Sequence, residues 1–416
     1  MSSSLTSAPF ASSALLGFVG GDQTATALYL THIAGRQRIP TLVNSPGSYF
    51  AARALAVLHK ARVWDGLHPG VSVDPCSLAS PSTTPGPKFI ASVSGTILDS
   101  TGPIAQELLE HTRSLSAQTV SGRRTTPLAV TIVELPDAPH SELHPTARIS
   151  APVFLPILAS AAAATFCGLT SDYTTLAAIA FGMLCSAGAS RALHAGDLTF
   201  TRPLSTPGAT VGDGYLETGN EFIVLRGSET AVAAVTRGQM TLRFRSECTH
   251  RSLAFAALLL GTQCVAQLLL LPLGTLLGQL AFLLATAAAW LYHAHVARQA
   301  PAAWRRLVLE DVLSAPAMAR YSVGTRTAAA VVLMRLLRPA DVEEQLARLL
   351  PNNTPVWKLW RETVAQRLRS GKPAFVGADV PVPVPATFDM NERRLFHTLL
   401  ADAQCAVDAF SGSYKL

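Results

Sequence analysis

The sequence predicts a membrane protein. The expected fold is an α-helical four-span bundle of two tight helical hairpins, with a cytosolic α/β N-terminal region, a small α/β central loop module and a helical C-terminal region. Three observations lead there. Ser252 to Ala297 runs 46 residues without Asp, Glu, Lys or Arg. A continuous helix of that length would reach roughly 69 Å, more than twice the ~30 Å hydrocarbon core of a bilayer, and Leu271-Pro272-Leu273-Gly274 interrupts it near the middle. Ile149 to Ser190 is likewise apolar, with Asp172 as its sole charge. Finally, 49% of the 416 residues are hydrophobic and only 14% charged, with mean hydropathy +0.30, whereas soluble domains carry about 25% charged residues.

These stretches divide into spans at 149–170 and 173–190, and at 252–271 and 275–295. Pro152 and Pro156 fall in the first turns of the first span, where proline is tolerated. All 33 Lys and Arg lie in three segments: 10 before the first span, 7 in residues 191–251, and 16 after the fourth. Neither interspan turn holds one. The positive-inside rule then puts both termini and the central loop in the cytosol. Met1-Ser-Ser-Ser-Leu5 has no basic region, so no cleaved signal peptide is expected. The net charge of +6 includes 16 Lys/Arg against 11 Asp/Glu in residues 298–416. Without a dense basic run or an RNA-binding signature, this suits an anionic membrane surface and excludes nucleic acid as the expected partner.

Residues 1–148 alternate strand-like and helix-like stretches, which argues for a parallel or mixed sheet. Ala14–Gly20 is a short apolar run. Asp22 is placed to cap a helix from Gln23 to about Ala34, stopped by Gly35. Arg38–Asn44 reads as a strand and Gly47–Val63 as a helix. Phe89–Leu98 and Leu128–Leu135 read as strands around a helix near Ile104–Leu115. In residues 191–251, Asp197–Thr201, Glu221–Leu225 and Met240–Phe244 alternate like strands. Ser228 is placed to cap a short helix that Gly238 ends. Residues 298–416 read as helices at Trp304–Leu313, Thr327–Leu337, Pro339–Leu350 and Pro355–Arg369. Extended Val380–Pro385 follows, and Asp389-Met-Asn-Glu392 is a capping box for a last helix.

Gln263 and Gln267, four apart on the third span, and Gln279 on the fourth are amides that need partners in hydrocarbon. They read as an interhelical hydrogen-bond clamp; the alternative is a polar strip lining a pore. Ala178, Gly182 and Ser186 have the small-xxx-small spacing of close helix packing, within the bundle or, alternatively, in a homo-oligomer. Gly274 and Gly278 repeat that spacing. Trp290 and Tyr292 fall where aromatic belts anchor spans to the interface. His293 and His295 point about 200° apart on a helix and so cannot jointly chelate a metal. Trp357, Trp360, Val364 and Leu368 form a stripe suited to a cytosolic core or to a membrane surface.

Gly17-Phe-Val-Gly20-Gly21 fits neither glycine-rich phosphate-loop pattern. His140-x-Glu142-x-His144 sits between prolines, without the helix that HExxH chemistry needs. The six cysteines show no CxxC spacing. No cofactor, metal or catalytic residue is expected from this sequence. The sequon Asn352-Asn-Thr354 precedes Pro355 on the expected cytosolic side.

The run Gln263–Arg298, Gly212-Asp-Gly214, the strand FIVLRG with its following helix, and Tyr321-Ser-Val-Gly-Thr-Arg326 resemble a recurrent pattern in uncharacterised multi-pass membrane proteins of basidiomycete fungi. The resemblance covers about residues 150–335. It implies membrane residence and, since that family has no assigned activity, transfers no functional residue. The expectation is therefore an integral membrane scaffold or regulatory anchor whose three cytosolic segments fold together, with lipid and unidentified cytosolic proteins as partners. Two alternatives stand beside it: a small oligomeric pore or transporter lined by the glutamines, and a membrane-tethered enzyme with its site in the N-terminal α/β region.

Overall fold

The structure, a computed structural model, describes residues 18–34, 41–59, 85–137, 151–203, 208, 211–244, 247–371, 375 and 384–413. In chain order its first elements are α1 (Gly21–Leu28, continued by a π-helical turn Tyr29–Ala34), α2 (Ser48–His59), β1 (Lys88–Ala91), β2 (Ile97–Leu98), α3 (Pro103–Ser114), β3 (Gln118–Thr119) and β4 (Leu128–Glu134). Then come α4 (Phe154–Leu169), α5 (Tyr173–His194), β5 (Gly196–Thr201), β6 (Gly214–Thr218), β7 (Glu221–Arg226), α6 (Glu229–Arg237), β8 (Gln239–Phe244), α7 (Glu247–Leu270) and α8 (Leu276–Arg306). The chain closes with β9 (Ala317–Val323), α9 (Arg326–Leu337), α10 (Val342–Leu349), α11 (Pro355–Arg369) and α12 (Met390–Ser413). Among the described residues the structure is mostly helical, and three helices are long and apolar enough to cross a membrane: Tyr173–His194, Arg251–Leu273 and Leu276–Val312. Phe154–Leu169 is apolar but shorter.

Contacts divide the chain into two compact units. The first, helical unit takes Met1–Thr83, Ser141–Thr201 and Met240–Leu307; the second takes Thr84–His140, Arg202–Gln239 and Val308–Leu416. The division differs from the expected one at two places. Residues 1–148 are not one α/β region, because α1 and α2 pack against α8 and α7 in the helical unit. Residues 41–44, expected as the end of a strand, are irregular, and no strand forms among the described residues before Lys88. The central segment is not a module of its own either. Its β5 and β8 pair with each other, while β6 and β7 join a larger sheet.

In the helical unit α4 and α5 pack on each other, whereas α7 and α8, joined by a 3-10 turn at Leu271–Leu273, pack chiefly on α5 and α4 and not on each other, so the second pair is not the tight hairpin expected. Cys167, Ala178, Ile179 and Phe282 are buried between the two hairpins. Leu155, Leu158, Leu184, Leu269, Leu284 and Leu291 face outward and are exposed. A large exposed apolar surface on helices of this length has the character of a lipid-facing wall.

The second unit is built on a seven-stranded sheet of order β2-β1-β6-β7-β4-β9-β3. Its centre takes one strand from each of three segments that are far apart in sequence. β4 pairs in parallel with β7, Val130 opposite Phe222, and antiparallel with β9, Val130 opposite Tyr321. Ile90, Val130, Ile132, Phe222, Val224 and Tyr321 alternate onto one face and form a core with α9 to α12. Such near-continuous burial suits central strands covered on both faces.

One ion-pair triad also draws on all three segments. Glu221 Oε1 accepts from Arg320 at 2.8 Å and its Oε2 accepts from Arg113 Nε at 2.6 Å. Trp360 is fully buried and donates its indole N–H to the Leu399 carbonyl at 3.2 Å. The α11 stripe thus packs on the sheet-unit core, not on a membrane surface. The strand β9 corrects the expectation of an all-helical C-terminal region.

Candidate functional site

Three constellations of polar side chains stand out. The first lies inside the helical unit, around Asn44. Short polar residues such as Thr41, Asn44, Ser45 and Ser48 favour turns and helix starts over continuous helix, and the chain is irregular from Thr41 until α2 starts at Ser48. All four are buried, Asn44 completely. The Asn44 backbone N–H donates to Ser160 Oγ at 3.0 Å and its side-chain amide to Thr286 Oγ1 at 3.0 Å. Its Oδ1 accepts from Gln267 Nε2 at 2.8 Å. One asparagine is therefore tied to α4, α7 and α8 together. Gln263 Nε2 donates to the Ser45 carbonyl at 3.4 Å, the Thr41 N–H donates to Ser190 Oγ at 3.2 Å, and Thr24 Oγ1 lies 3.2 Å from His293 Nδ1.

The glutamines do clamp, but not one another. Gln263 and Gln267 hold the segment that begins at Thr41, and Gln279 donates to the Leu271 and Gly274 carbonyls at 3.0 and 3.2 Å, closing its own hairpin turn. Ala178, Gly182 and Ser186 lie on the inner side of α5, Ala178 and Ser186 almost wholly buried. That face is occupied within the protomer. Gly182 leaves room for the polar cluster, because a Cβ there would run into Asn44 Oδ1 and lie 3.0 Å from Gln267 Nε2. Trp290 is partly exposed and its indole lies against Gly20, while Tyr292 is 5% exposed and turned inward. Tyr292 is thus not the interface anchor its position suggested. His293 is buried as well.

The second constellation is the turn of each hairpin. Asp172 is the N-cap of α5, accepting from the Thr175 N–H at 3.1 Å. Thr275, the N-cap of α8, accepts from the Gly278 N–H at 3.1 Å. Asp172 Oδ2 also accepts from the Thr275 N–H and hydroxyl and from the Thr175 hydroxyl. Burial alone pushes its carboxyl up, but the hydrogen bonds from Thr275, Thr175 and Thr174 outweigh it and hold the group below its ordinary range. A charge-assisted acceptor facing two helix N-termini is the favourable arrangement for a carboxylate. Gly278 allows the approach: a Cβ would collide with Asp172 Oδ2.

The third is a cleft in the sheet unit, between the β1–β2 hairpin and α6. Phe89, Ala91, Ser94 and Thr96 form one wall and Glu229, Val232, Ala233, Thr236 and Arg237 the other, with Val211 and Gly212 at one end. The cleft is open to solvent and small, about 80 Å³. Ser228 caps α6, accepting from the Ala231 N–H at 3.3 Å, as the sequence suggests.

Among the described residues no group of three or more His, Cys, Asp and Glu could hold a metal ion. His140, Glu142 and His144 lie outside the described residues, as do Gly17 and Val380–Pro383. Cys167, Cys185 and Cys264 are buried and free. Sequence reasoning missed Asn44, Asp172 and the cleft. Asp172 carried a signal, the lone charge between two apolar stretches; Asn44 carried none.

Compared with known proteins, the chain matches no family model, no curated protein and no solved structure.

Proposed function

We propose that the protein is a four-span integral membrane scaffold or regulatory anchor that displays one cytosolic α/β domain. The observation that carries this reading is the adjacency of β7, β4 and β9, drawn from the three segments that flank the two hairpins. Strands that pair share one side of a membrane. The chain must then cross an even number of times between β4 and β7, and again between β7 and β9. The second interval holds α7 and α8, both long enough to cross. The first holds α5, also long enough, together with α4. An even count makes α4 the companion crossing. With its leading 3-10 turn from Ala151 it runs 151–169, about 29 Å at helical rise, against a core of ~30 Å. The positive charges of the same three segments favour the cytosol for that side.

The α1–α2 pair belongs to the membrane part in this reading, as a re-entrant hairpin. Irregular backbone at membrane depth is tolerated where protein surrounds it, and Asn44 is surrounded on three sides. Membership of the basidiomycete family is part of the same proposal and implies no activity.

Protease protection on sealed microsomes tests it, with tags at the N-terminus, in residues 204–214 and at the C-terminus. All three should be cleaved from the cytosolic side; protection of any one overturns the topology.

The pore reading rests on the Asn44 cluster. Against it, Asn44 itself is held by hydrogen bonds to α4, α7 and α8, and no charged side chain occurs from Ser252 to Ala297, where ion and proton pathways ordinarily need one. Ion flux through proteoliposomes that Asn44→Ala abolishes would reverse this choice.

A further inference from the structure

The loop between β3 and β4 contains Arg123-Arg124-Thr125-Thr126-Pro127. Residues 121–127 are exposed throughout, and none lies in a helix or strand. The Thr125 and Thr126 N–H groups both donate to the Gly324 carbonyl, at 3.0 and 3.2 Å. The loop folds over that glycine: a Cβ on Gly324 would collide with the Arg123 carbonyl and lie 3.1 Å from Arg124 Cγ. Both arginines and Thr126 are therefore gathered around one residue.

Their side chains differ in what they hold. Arg123 donates to both carboxylate oxygens of Asp402 in α12, at 3.4 and 2.8 Å. Arg124 has no acidic partner among the described residues, and the Thr126 hydroxyl makes no hydrogen bond there. Pro127 restricts Thr126 to an extended conformation. An exposed threonine with arginines two and three residues before it and a proline after it carries a charge pattern of the kind kinases select in substrates. No other Ser-Pro or Thr-Pro of the sequence has arginines at those positions.

Asp402 adds an independent observation. Its side chain is 4% exposed, and Arg123 is its sole partner among the described residues. A buried carboxylate depends on such a cation, because a charge left alone out of water is costly. Whatever competes for Arg123 therefore acts on α12.

We propose that Thr126 is a phosphorylation site for an arginine- and proline-directed kinase, and that its phosphate competes with Asp402 for Arg123. The Thr126 hydroxyl oxygen bonds to the γ-phosphorus of ATP, the bond from that phosphorus to the ADP oxygen breaks, and the hydroxyl proton passes to the kinase's catalytic aspartate. The product carries a charge of about −2 beside Arg124 and Arg123, against −1 on Asp402. Arg123 is drawn off, and the contact between the loop and α12 loosens. The proposal rests on the cytosolic placement of the sheet unit, where ATP is at hand. Phosphorylation of the purified protein does not, so its failure is separate from a failure of the topology.

The test is incubation of the full-length protein in detergent micelles with such a kinase and Mg-ATP, followed by phosphopeptide mass spectrometry. Thr126 should be filled ahead of Thr206 and Thr354, which also precede proline. Arg124→Gln should lower kcat/KM at Thr126 about tenfold or more and leave the other two threonines unchanged. No phosphate on Thr126, or filling no faster than at Thr206 and Thr354, overturns the site. In the phosphorylated protein, amide hydrogen exchange around Asp402 should be about threefold faster or more. Asp402→Asn should show the same rise without phosphate. Unchanged exchange after phosphorylation overturns the competition for Arg123. Wild-type protein before and after treatment makes both decisions, whether or not the variants fold.

Discussion

Asp172 Oδ2 accepts two hydrogen bonds from one residue of the opposite hairpin, from the Thr275 N–H at 2.8 Å and from the Thr275 hydroxyl at 2.7 Å. Each residue is the N-cap of its own helix, so the carboxylate joins two helix starts in a single contact. Removing it leaves the donors of both caps without their acceptor, and hydrogen bonds to a charged group each count for about 1.5–3 kcal/mol. Asp172→Ala should lower the thermal midpoint of the detergent-solubilised protein markedly, and Asp172→Asn less. Equal midpoints for Ala and wild type would show the contact to be idle.

The same carboxylate predicts a pH dependence. Its folded value is depressed, so it adds stability above the unfolded value of about 3.9, and the contribution fades as pH falls through the folded value. Thermal melts from pH 6 down to pH 3 should show a loss below about pH 4. In Asp172→Asn that component should be missing.

Asn44 and Gln267 should be energetically coupled. The bond between them is 2.8 Å long and fully buried, and interhelical bonds of this kind contribute about 0.6–2 kcal/mol. In a double-mutant cycle to Ala the two losses should fall short of additivity by about that amount. Strict additivity would separate Asn44 from the helices that surround it.

Gly182→Ala reverses the usual sign of its class. Replacing glycine in a helix interior normally stabilises by roughly 0.5–1 kcal/mol. Here the new methyl would collide with Asn44 Oδ1. The variant should melt lower than wild type, and pairing it with Asn44→Ala should restore part of the loss.

Val224 is completely buried in β7, directly opposite Ile132 of β4. Placing a charge there is among the most destabilising of substitutions, ~4 kcal/mol or more. Val224→Asp should open proteolytic sites in all three polar segments at once, as the shared sheet requires. Cleavage confined to residues 202–239 would instead make the central segment independent.

The long apolar helices were legible because uncharged stretches of twenty residues have few other uses, and the capping box at Asp389 and Glu392 forms as its spacing suggests, with reciprocal bonds of 2.6 and 3.0 Å. The strands at 128–134, 196–201 and 221–226 were legible from alternation. β6 and β9 were not. Gly214 and Tyr215 follow a glycine-rich turn, and Ala317–Val323 contains Arg320, whose charge is explained only by Glu221 across the sheet. The Asn44 cluster was hidden for a related reason. Thr41 and Asn44 read as the end of a strand, and only side chains more than a hundred residues away, Ser160, Gln267 and Thr286, offset the cost of burying Asn44 in an irregular segment.

The place of β9 also orders the protein's biogenesis. It lies between β4 and β3, two neighbours that leave the ribosome close together, yet β9 itself follows some 180 residues later. Until β9 has been made, β4 offers a bare hydrogen-bonding edge and β3 has no neighbour to join. An unpaired edge of this kind is a template for aggregation and a ready signal for chaperones. Closure of the sheet therefore reports that synthesis has passed β9, and a chain stalled before it stays visibly unfinished.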